Sequence, residues 1–173
     1  MEPKKAITFA ELYRNHAREV YRFALFLTAD PALAEDIVAD VFLRVWDSST
    51  PVRMDTVRGY LFAIARNLFL RELRRTRQHS PLEDRYGIAA TAARELESRE
   101  DLRDTLAALQ TLPEIDRTAL LLRAHEGLPY EEIARVLGLS VSAVKVKIHR
   151  ARLRLAERKN EAERRKGAVR ANN

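Results

Sequence analysis

The stretch from residue 130 to residue 155, YEEIARVLGLSVSAVKVKIHRARLRL, limits the possible folds of this chain more than any other. It predicts a short amphipathic helix, a tight turn at Gly138 and Leu139, and a second helix rich in basic residues. Gly138 can adopt the positive φ that ends a helix, and the Ser140 hydroxyl can accept a hydrogen bond from a free backbone N–H of the next helix. Ala134 is small where the two helices must approach each other. The pattern therefore predicts a helix-turn-helix.

The two faces of this helix pair differ in chemistry. The apolar residues expected to pack the helices together are Ile133, Leu137, Leu139, Val144 and Ile148. The basic residues left for outward faces are Lys145, Lys147, His149, Arg150, Arg152 and Arg154. A basic helix held at a fixed angle by a second helix is a common way to enter the major groove of DNA. An ordinary helical hairpin with a solvated basic face is the alternative interpretation.

Composition favours a helical protein with a polyanionic partner. The 173 residues contain only 5 glycines and no cysteine, and the net charge is +6 with a pI near 9.9. The absence of cysteine excludes disulfides and thiolate metal sites. No signal-peptide core is visible at the N-terminus, and no segment approaches the roughly 20 apolar residues that span a bilayer. We therefore expect a cytoplasmic protein without membrane insertion.

Helical periodicity divides the chain into two modules. Further helices are predicted at residues 9–27, 33–46, 57–77, 97–112 and 113–125. Residues 78–96 lack a convincing period and contain Pro81 and Gly87, which predicts a tether, with a short helix in part of it as the alternative. The predicted fold class is all-α, with two small helical domains joined by a flexible linker. The predicted divisions are a first domain at 8–77, the linker at 78–96, a second domain at 97–158, and a basic tail at 159–173 that extends the last helix and then frays.

Four stretches of the sequence resemble one protein family in the same order. They are FAELYRNHAREVYRFAL, AEDIVADVFLRVW, GYLFAIARNLFLRELRR and LPEIDRTALLLRAHEGLPYEEIARVLGLSVSAVKVKIHRARLRL. Together they resemble the extracytoplasmic-function (ECF) sigma factors, the smallest class of the sigma-70 family of bacterial RNA polymerase specificity subunits. The resemblance implies a transcription initiation factor that binds core RNA polymerase and promoter DNA. Domain two of such a protein reads and melts the minus-ten element, and domain four reads the minus-thirty-five element.

The resemblance also implies roles for individual residues. The polymerase-binding candidates on the second helix are Glu35, Asp36, Asp40 and Arg44, with Phe42 and Trp46 holding this helix against its own domain. The minus-ten candidates are Arg66, Asn67, Arg71, Arg74 and Arg75, and the 47–58 loop is expected to hold a flipped base. The minus-thirty-five candidates are Ser142, Lys145, Val146, Lys147, His149 and Arg150. Among these, Ser142 and Lys147 are expected nearer the phosphates, and Val146 departs from the small polar residue often found at its position.

Two other function classes compete with this interpretation. A helix-turn-helix regulator could bind duplex DNA without the polymerase, but residues 1–100 do not resemble an effector or dimerisation module. An enzyme is disfavoured because the sequence has no cysteine nucleophile, no glycine-rich phosphate loop and no HExxH motif. The four histidines are scattered, so neither a metal nor a cofactor is predicted. The family resemblance further implies control by an anti-sigma factor.

Overall fold

The computed structural model describes residues 8–47, 57–79 and 93–171, and all regular structure in these ranges is helical. The helices are α1 (Phe9–Thr28), α2 (Pro31–Asp47), α3 (Val57–His79), α4 (Ala93–Gln110), α5 (Glu114–Leu120), α6 (Tyr130–Leu137) and α7 (Val141–Ala171). A π-helical turn, Leu121–His125, continues α5. The chain divides into two compact units, Met1–Gly87 and Ile88–Asn173.

Local capping residues define the first two helices. The Thr8 hydroxyl accepts a hydrogen bond from the Glu11 N–H, and the Glu11 carboxylate accepts one from the Thr8 N–H, which forms a capping box at the start of α1. The helix ends at Ala29, which takes the left-handed conformation with φ 57°. Asp30 Oδ1 then accepts hydrogen bonds from the Ala32 and Leu33 N–H groups and caps α2. The reversal between α1 and α2 is thus fixed within three residues.

The first unit is a bundle of α1, α2 and α3 around aromatic and aliphatic side chains. Its largest fully buried residues are Val20, Phe23, Leu27, Val41, Leu61 and Phe62. The rings of Phe23 and Phe62 lie 4.9 Å apart between centroids and join α1 to α3. Arg58 of α3 also donates a hydrogen bond to the Glu19 carboxylate of α1, at 3.1 Å. This core fixes which faces of α2 and α3 remain exposed.

The second unit places α5 and its π-helical turn beneath the α6–α7 pair. The Glu126 N–H donates to the Leu121 carbonyl, and the Leu128 N–H donates to the Leu122 carbonyl. Gly127 between them has φ 69°, a conformation that favours glycine. Leu122 and Leu128 are fully buried. The π-helical turn and the residues after it therefore connect α5 to Tyr130, the first residue of α6, and bury Leu122 and Leu128 on the way.

Several predicted boundaries differ from the structure. Helix α4 begins at Ala93, inside the predicted 78–96 linker, because the sequence AREL there consists of good helix formers. The predicted 113–125 helix changes to π geometry at Leu121, which no periodicity signals. Helix α7 continues to Ala171, so the predicted extension of the last helix into the 159–173 tail is present as far as that residue. The rest of the predicted linker, residues 80–92, lies outside the described residues.

Candidate nucleic-acid and polymerase interfaces

The helix-turn-helix predicted from the sequence is present. Gly138 ends α6 with φ 65°, and its N–H donates to the carbonyls of Ala134 and Arg135. The Leu139 N–H donates to the Ala134 carbonyl at 2.9 Å. The Ala143 N–H then donates to the Ser140 hydroxyl at 3.1 Å, which caps α7. The local signals in the sequence and the observed turn agree residue by residue.

The register of α7 separates a buried seam from an outward face. Val144, Ile148 and Ala151 are buried at helical spacing. The opposite face exposes four of the predicted minus-thirty-five residues: Ser142, Val146, His149 and Arg150. At about 100° per residue these four lie within one narrow sector of the helix surface. They form the outward face of α7.

Lys147 lies on one flank of α7, and its side chain contacts α5 of the same unit. Its ammonium is 3.5 Å from Asp116 Oδ1 on α5, and the two side chains are 26% and 4% exposed. Asp116 Oδ1 makes no hydrogen bond within the described part of the chain, so this contact is an ion pair without hydrogen-bond geometry. Sequence reasoning missed Asp116. The sequence of α5, EIDRTAL, contains two acids and gives no sign that Asp116 is the one paired with α7.

Lys145 lies on the other flank of α7, and its ammonium lies over the ring of Tyr130. Its ammonium is 5.4 Å from the centre of the Tyr130 ring, at the start of α6. The Arg123 guanidinium is 4.6 Å from the centre of the same ring, and Arg123 also donates to the Leu128 carbonyl at 3.0 Å. Cation–π contacts of this kind hold a cation in place without neutralising it. Tyr130 is a second positioning residue that sequence reasoning missed.

The predicted minus-ten residues follow the surface of α3. Asn67, Arg71, Arg74 and Arg75 are exposed, and Arg66 is half-buried. Arg75 donates two hydrogen bonds to the Glu72 carboxylate, at 2.9 and 2.7 Å. These bonds hold the pKa of Glu72 below its ordinary value and raise the pKa of Arg75. The Arg75 guanidinium is thus already engaged by an acid on its own helix.

The predicted polymerase-binding residues lie on α2, with Glu35, Asp36 and Arg44 exposed and Asp40 half-buried. Asp40 pairs with Arg71 across α2 and α3, with 3.7 Å between Oδ2 and Nη2. A shallow groove of about 360 Å³ lies at this edge, lined by residues that include Asp36, Asp40, Arg71 and Arg75. The structure therefore brings together side chains assigned to two different interfaces.

Two large apolar side chains are exposed on the same face of α2. Leu43 is 64% exposed and Trp46 is 69% exposed. Trp46 contacts Phe9 edge-on at 4.9 Å between ring centroids, so it touches its own unit but is not buried by it. Phe42 is buried, as predicted. Sequence reasoning missed Leu43, although its spacing from Ala39 and Trp46 places it at the centre of the exposed face.

Most of the 47–58 loop, residues 48–56, lies outside the described residues. Among the helices that are described, none is long and apolar enough to cross a membrane. The described residues also contain no cluster of histidine and acidic side chains that could hold a metal ion.

Comparison with known proteins identifies the family. The pattern described as Sigma-70 region 2 matches residues 12–79, and the pattern described as Sigma-70, region 4 matches residues 102–155. The ECF RNA polymerase sigma factor SigE of Mycolicibacterium smegmatis is 37% identical over 153 residues, which cover 85% of this chain and 60% of SigE. The ECF sigma factor SigM of Mycobacterium tuberculosis is 32% identical over 151 residues, which cover 86% of this chain and 75% of SigM. The chain belongs to the ECF RNA polymerase sigma factors.

A solved structure supports the fold of this sigma factor. The sigma factor RpoE of Bartonella quintana, crystallised with the anti-sigma factor NepR, matches with a TM-score of 0.71 at 27% identity. The match covers 86% of this chain and 94% of RpoE. The family resemblance and the all-α fold class are thereby confirmed. In this sigma factor the region 2 match falls in the first unit and the region 4 match in the second.

Proposed function

We propose that this protein is a bacterial transcription initiation factor that binds core RNA polymerase and directs it to specific promoters. One observation carries the proposal: the two sigma-70 regions occur in order, each on its own helical unit, and the second presents a capped helix with an exposed polar and basic face. In this proposal residues 8–77 bind polymerase and the minus-ten element. Residues 97–158 bind the minus-thirty-five element.

The outward face of α7 is the proposed reader of the minus-thirty-five element. Ser142, Val146, His149 and Arg150 point away from the buried seam, in the first three turns of the helix, where recognition helices contact base edges. Arg150 can donate to guanine O6 and N7. Lys145 and Lys147 act from the flanks, and the contacts with Tyr130 and Asp116 make positioning part of their role.

The exposed arginines of α3 and Asn67 are the proposed minus-ten contacts. Melted DNA is held by cations along its backbone and by groups that hydrogen-bond to unstacked bases. Asn67 offers both a donor and an acceptor for this purpose. DNA must compete with Glu72 for Arg75 and with Asp40 for Arg71, because both pairs exist in the free protein.

The exposed face of α2 is the proposed polymerase-binding surface. Glu35, Asp36, Asp40 and Arg44 supply its charges, and Leu43 and Trp46 supply apolar area in their midst. Interfaces depend on a few desolvated anchors surrounded by polar residues. We assign the role of desolvated anchors to Leu43 and Trp46. The acids form the polar rim around them.

We further propose that the protein acts in the cytoplasm, without enzymatic activity of its own, under the control of an anti-sigma factor. Catalysis of RNA synthesis belongs to the polymerase. The anti-sigma partner is supported by RpoE, whose solved structure is a complex with NepR and shares 27% sequence identity with this chain.

Run-off transcription tests the proposal directly. Purified core RNA polymerase is incubated with a pooled library of promoter fragments, with and without the protein. We expect transcripts that require the protein, and the alignment of their start sites gives both promoter elements. Tight duplex binding with no protein-dependent transcript, from a folded sample free of anti-sigma factor, would instead support a helix-turn-helix regulator that acts without polymerase.

A further inference from the structure

Val146 is an apolar side chain among the polar residues Ser142, His149 and Arg150 of the outward face of α7. It lies almost opposite the buried seam of Val144, Ile148 and Ala151, and 47% of it is exposed. A β-branched residue has lower helix propensity than an unbranched one. An exposed isopropyl group also adds little burial energy to folding. Its position is therefore of small benefit to the isolated protein.

The residues around Val146 are those of a DNA-reading surface. Ser142, His149 and Arg150 share the outward face of α7 with it, and each can hydrogen-bond. The lysines on the two flanks point to other protein groups, Lys145 to the Tyr130 ring and Lys147 to Asp116. Val146 is thus the most central side chain of the outward face, with polar groups on either side.

We propose that Val146 reads the C5-methyl group of a thymine in the minus-thirty-five element. This inference rests on the proposed placement of α7 in the major groove. In that groove thymine alone among the four bases presents a methyl group, so apolar contact distinguishes it. Burial of one such group contributes about 0.8 kcal/mol, which corresponds to an affinity change of about fourfold.

The test removes single methyl groups from the DNA. The full-length protein is assembled with core RNA polymerase on a promoter recovered by the run-off selection. Each thymine of the minus-thirty-five element, on either strand, is replaced in turn by deoxyuridine, and promoter affinity is measured. We expect one replacement to weaken binding by the wild-type protein about fourfold. Val146→Ser should bind the thymine and uracil versions of that site equally well.

Two control variants separate the possible failures. Leu153→Ala removes an equally exposed apolar side chain two turns further along α7 and should keep the wild-type response to uracil. Arg150→Ala should weaken binding whichever base is present. If Arg150→Ala weakens binding but no uracil substitution does, or if Val146→Ser keeps the uracil response, methyl reading by Val146 is wrong. If Arg150→Ala also has no effect, the placement of α7 in the groove is wrong as well.

Discussion

Substitution of Lys147 by methionine separates two roles that the sequence and the structure assign to this residue. The family resemblance places Lys147 near DNA phosphates. The structure places its ammonium 3.5 Å from Asp116, whose side chain is only 4% exposed. Methionine keeps most of the aliphatic stem and removes the charge. The variant therefore tests the ion pair with little change in packing.

The expected cost follows from the burial of Asp116. Removal of one member of a fully buried ion pair costs about 3–5 kcal/mol, because the other charge stays buried without compensation. Lys147 is 26% exposed and the contact lacks hydrogen-bond geometry, so we discount this range to about 2 kcal/mol. The Asp116→Asn change should cost less, because Lys147 can extend into water. The double variant should recover part of the loss, which a double-mutant cycle measures.

Native-state hydrogen exchange of the full chain measures this loss in the second unit alone. A free-energy loss of about 2 kcal/mol corresponds to roughly 30-fold faster exchange of the most protected amides. We expect this acceleration in the buried seam of α7, residues 144–151. The peptide that covers residues 20–27 of α1 is the internal control and should exchange at the wild-type rate.

The salt dependence of DNA affinity tests the other role of Lys147, the phosphate contact implied by the family resemblance. A lysine that neutralises a phosphate contributes close to one unit to the slope of log affinity against log salt concentration. If Lys147 acts mainly as a positioning residue, Lys147→Met should leave this slope unchanged. A slope that falls by about one unit, with wild-type exchange in residues 144–151, would refute the structural argument and restore the phosphate contact predicted from the sequence.

Three other substitutions test the remaining surfaces. Glu72→Gln should release Arg75 and raise affinity for single-stranded minus-ten DNA by up to about fivefold, since exposed ion pairs are weak. Fluorescence anisotropy that shows no gain would mean that Glu72 does not compete with DNA. Leu43→Ala should weaken binding to core polymerase about tenfold, as loss of an interface anchor does. Glu35→Gln should weaken it less. Equal effects of the two substitutions in a competition assay would contradict the anchor role of Leu43. Ser140→Ala should lower the stability of the second unit by about 1 kcal/mol through loss of the α7 cap, and unchanged amide exchange in the first turn of α7 would contradict this.

The sequence was sufficient wherever structure depends on neighbouring residues. Gly138 and Ser140 predicted the turn and the cap of the helix-turn-helix because these conformations depend on local hydrogen bonds. The outward position of Arg150 followed from the pattern of apolar and basic residues, and that of Val146 followed from the family resemblance. The start of α4 at Ala93 could not be located from the sequence, because a composition of good helix formers without an apolar stripe gives no periodic signal.

Contacts between helices distant in sequence could not be predicted in this way. Asp116 and Lys147 lie on α5 and α7, and their meeting depends on the packing of the whole second unit. Helical period shows that Lys147 lies beside the outward face but not whether another element reaches that flank. The same limit applies to Asp40 and Arg71, which the family resemblance assigns to different partners and which tertiary packing brings together.

These ion pairs reduce how much of the protein's positive charge can contribute to DNA affinity. The net charge of +6 describes the chain, but Arg71, Arg75 and Lys147 each have an acidic partner in the folded protein. Counterion release on binding counts the phosphates that are actually neutralised. A cation that exchanges a carboxylate for a phosphate gains less than one that was solvated. We therefore expect the outward face of α7, together with Asn67 of α3, to contribute more to DNA binding than these three paired cations do.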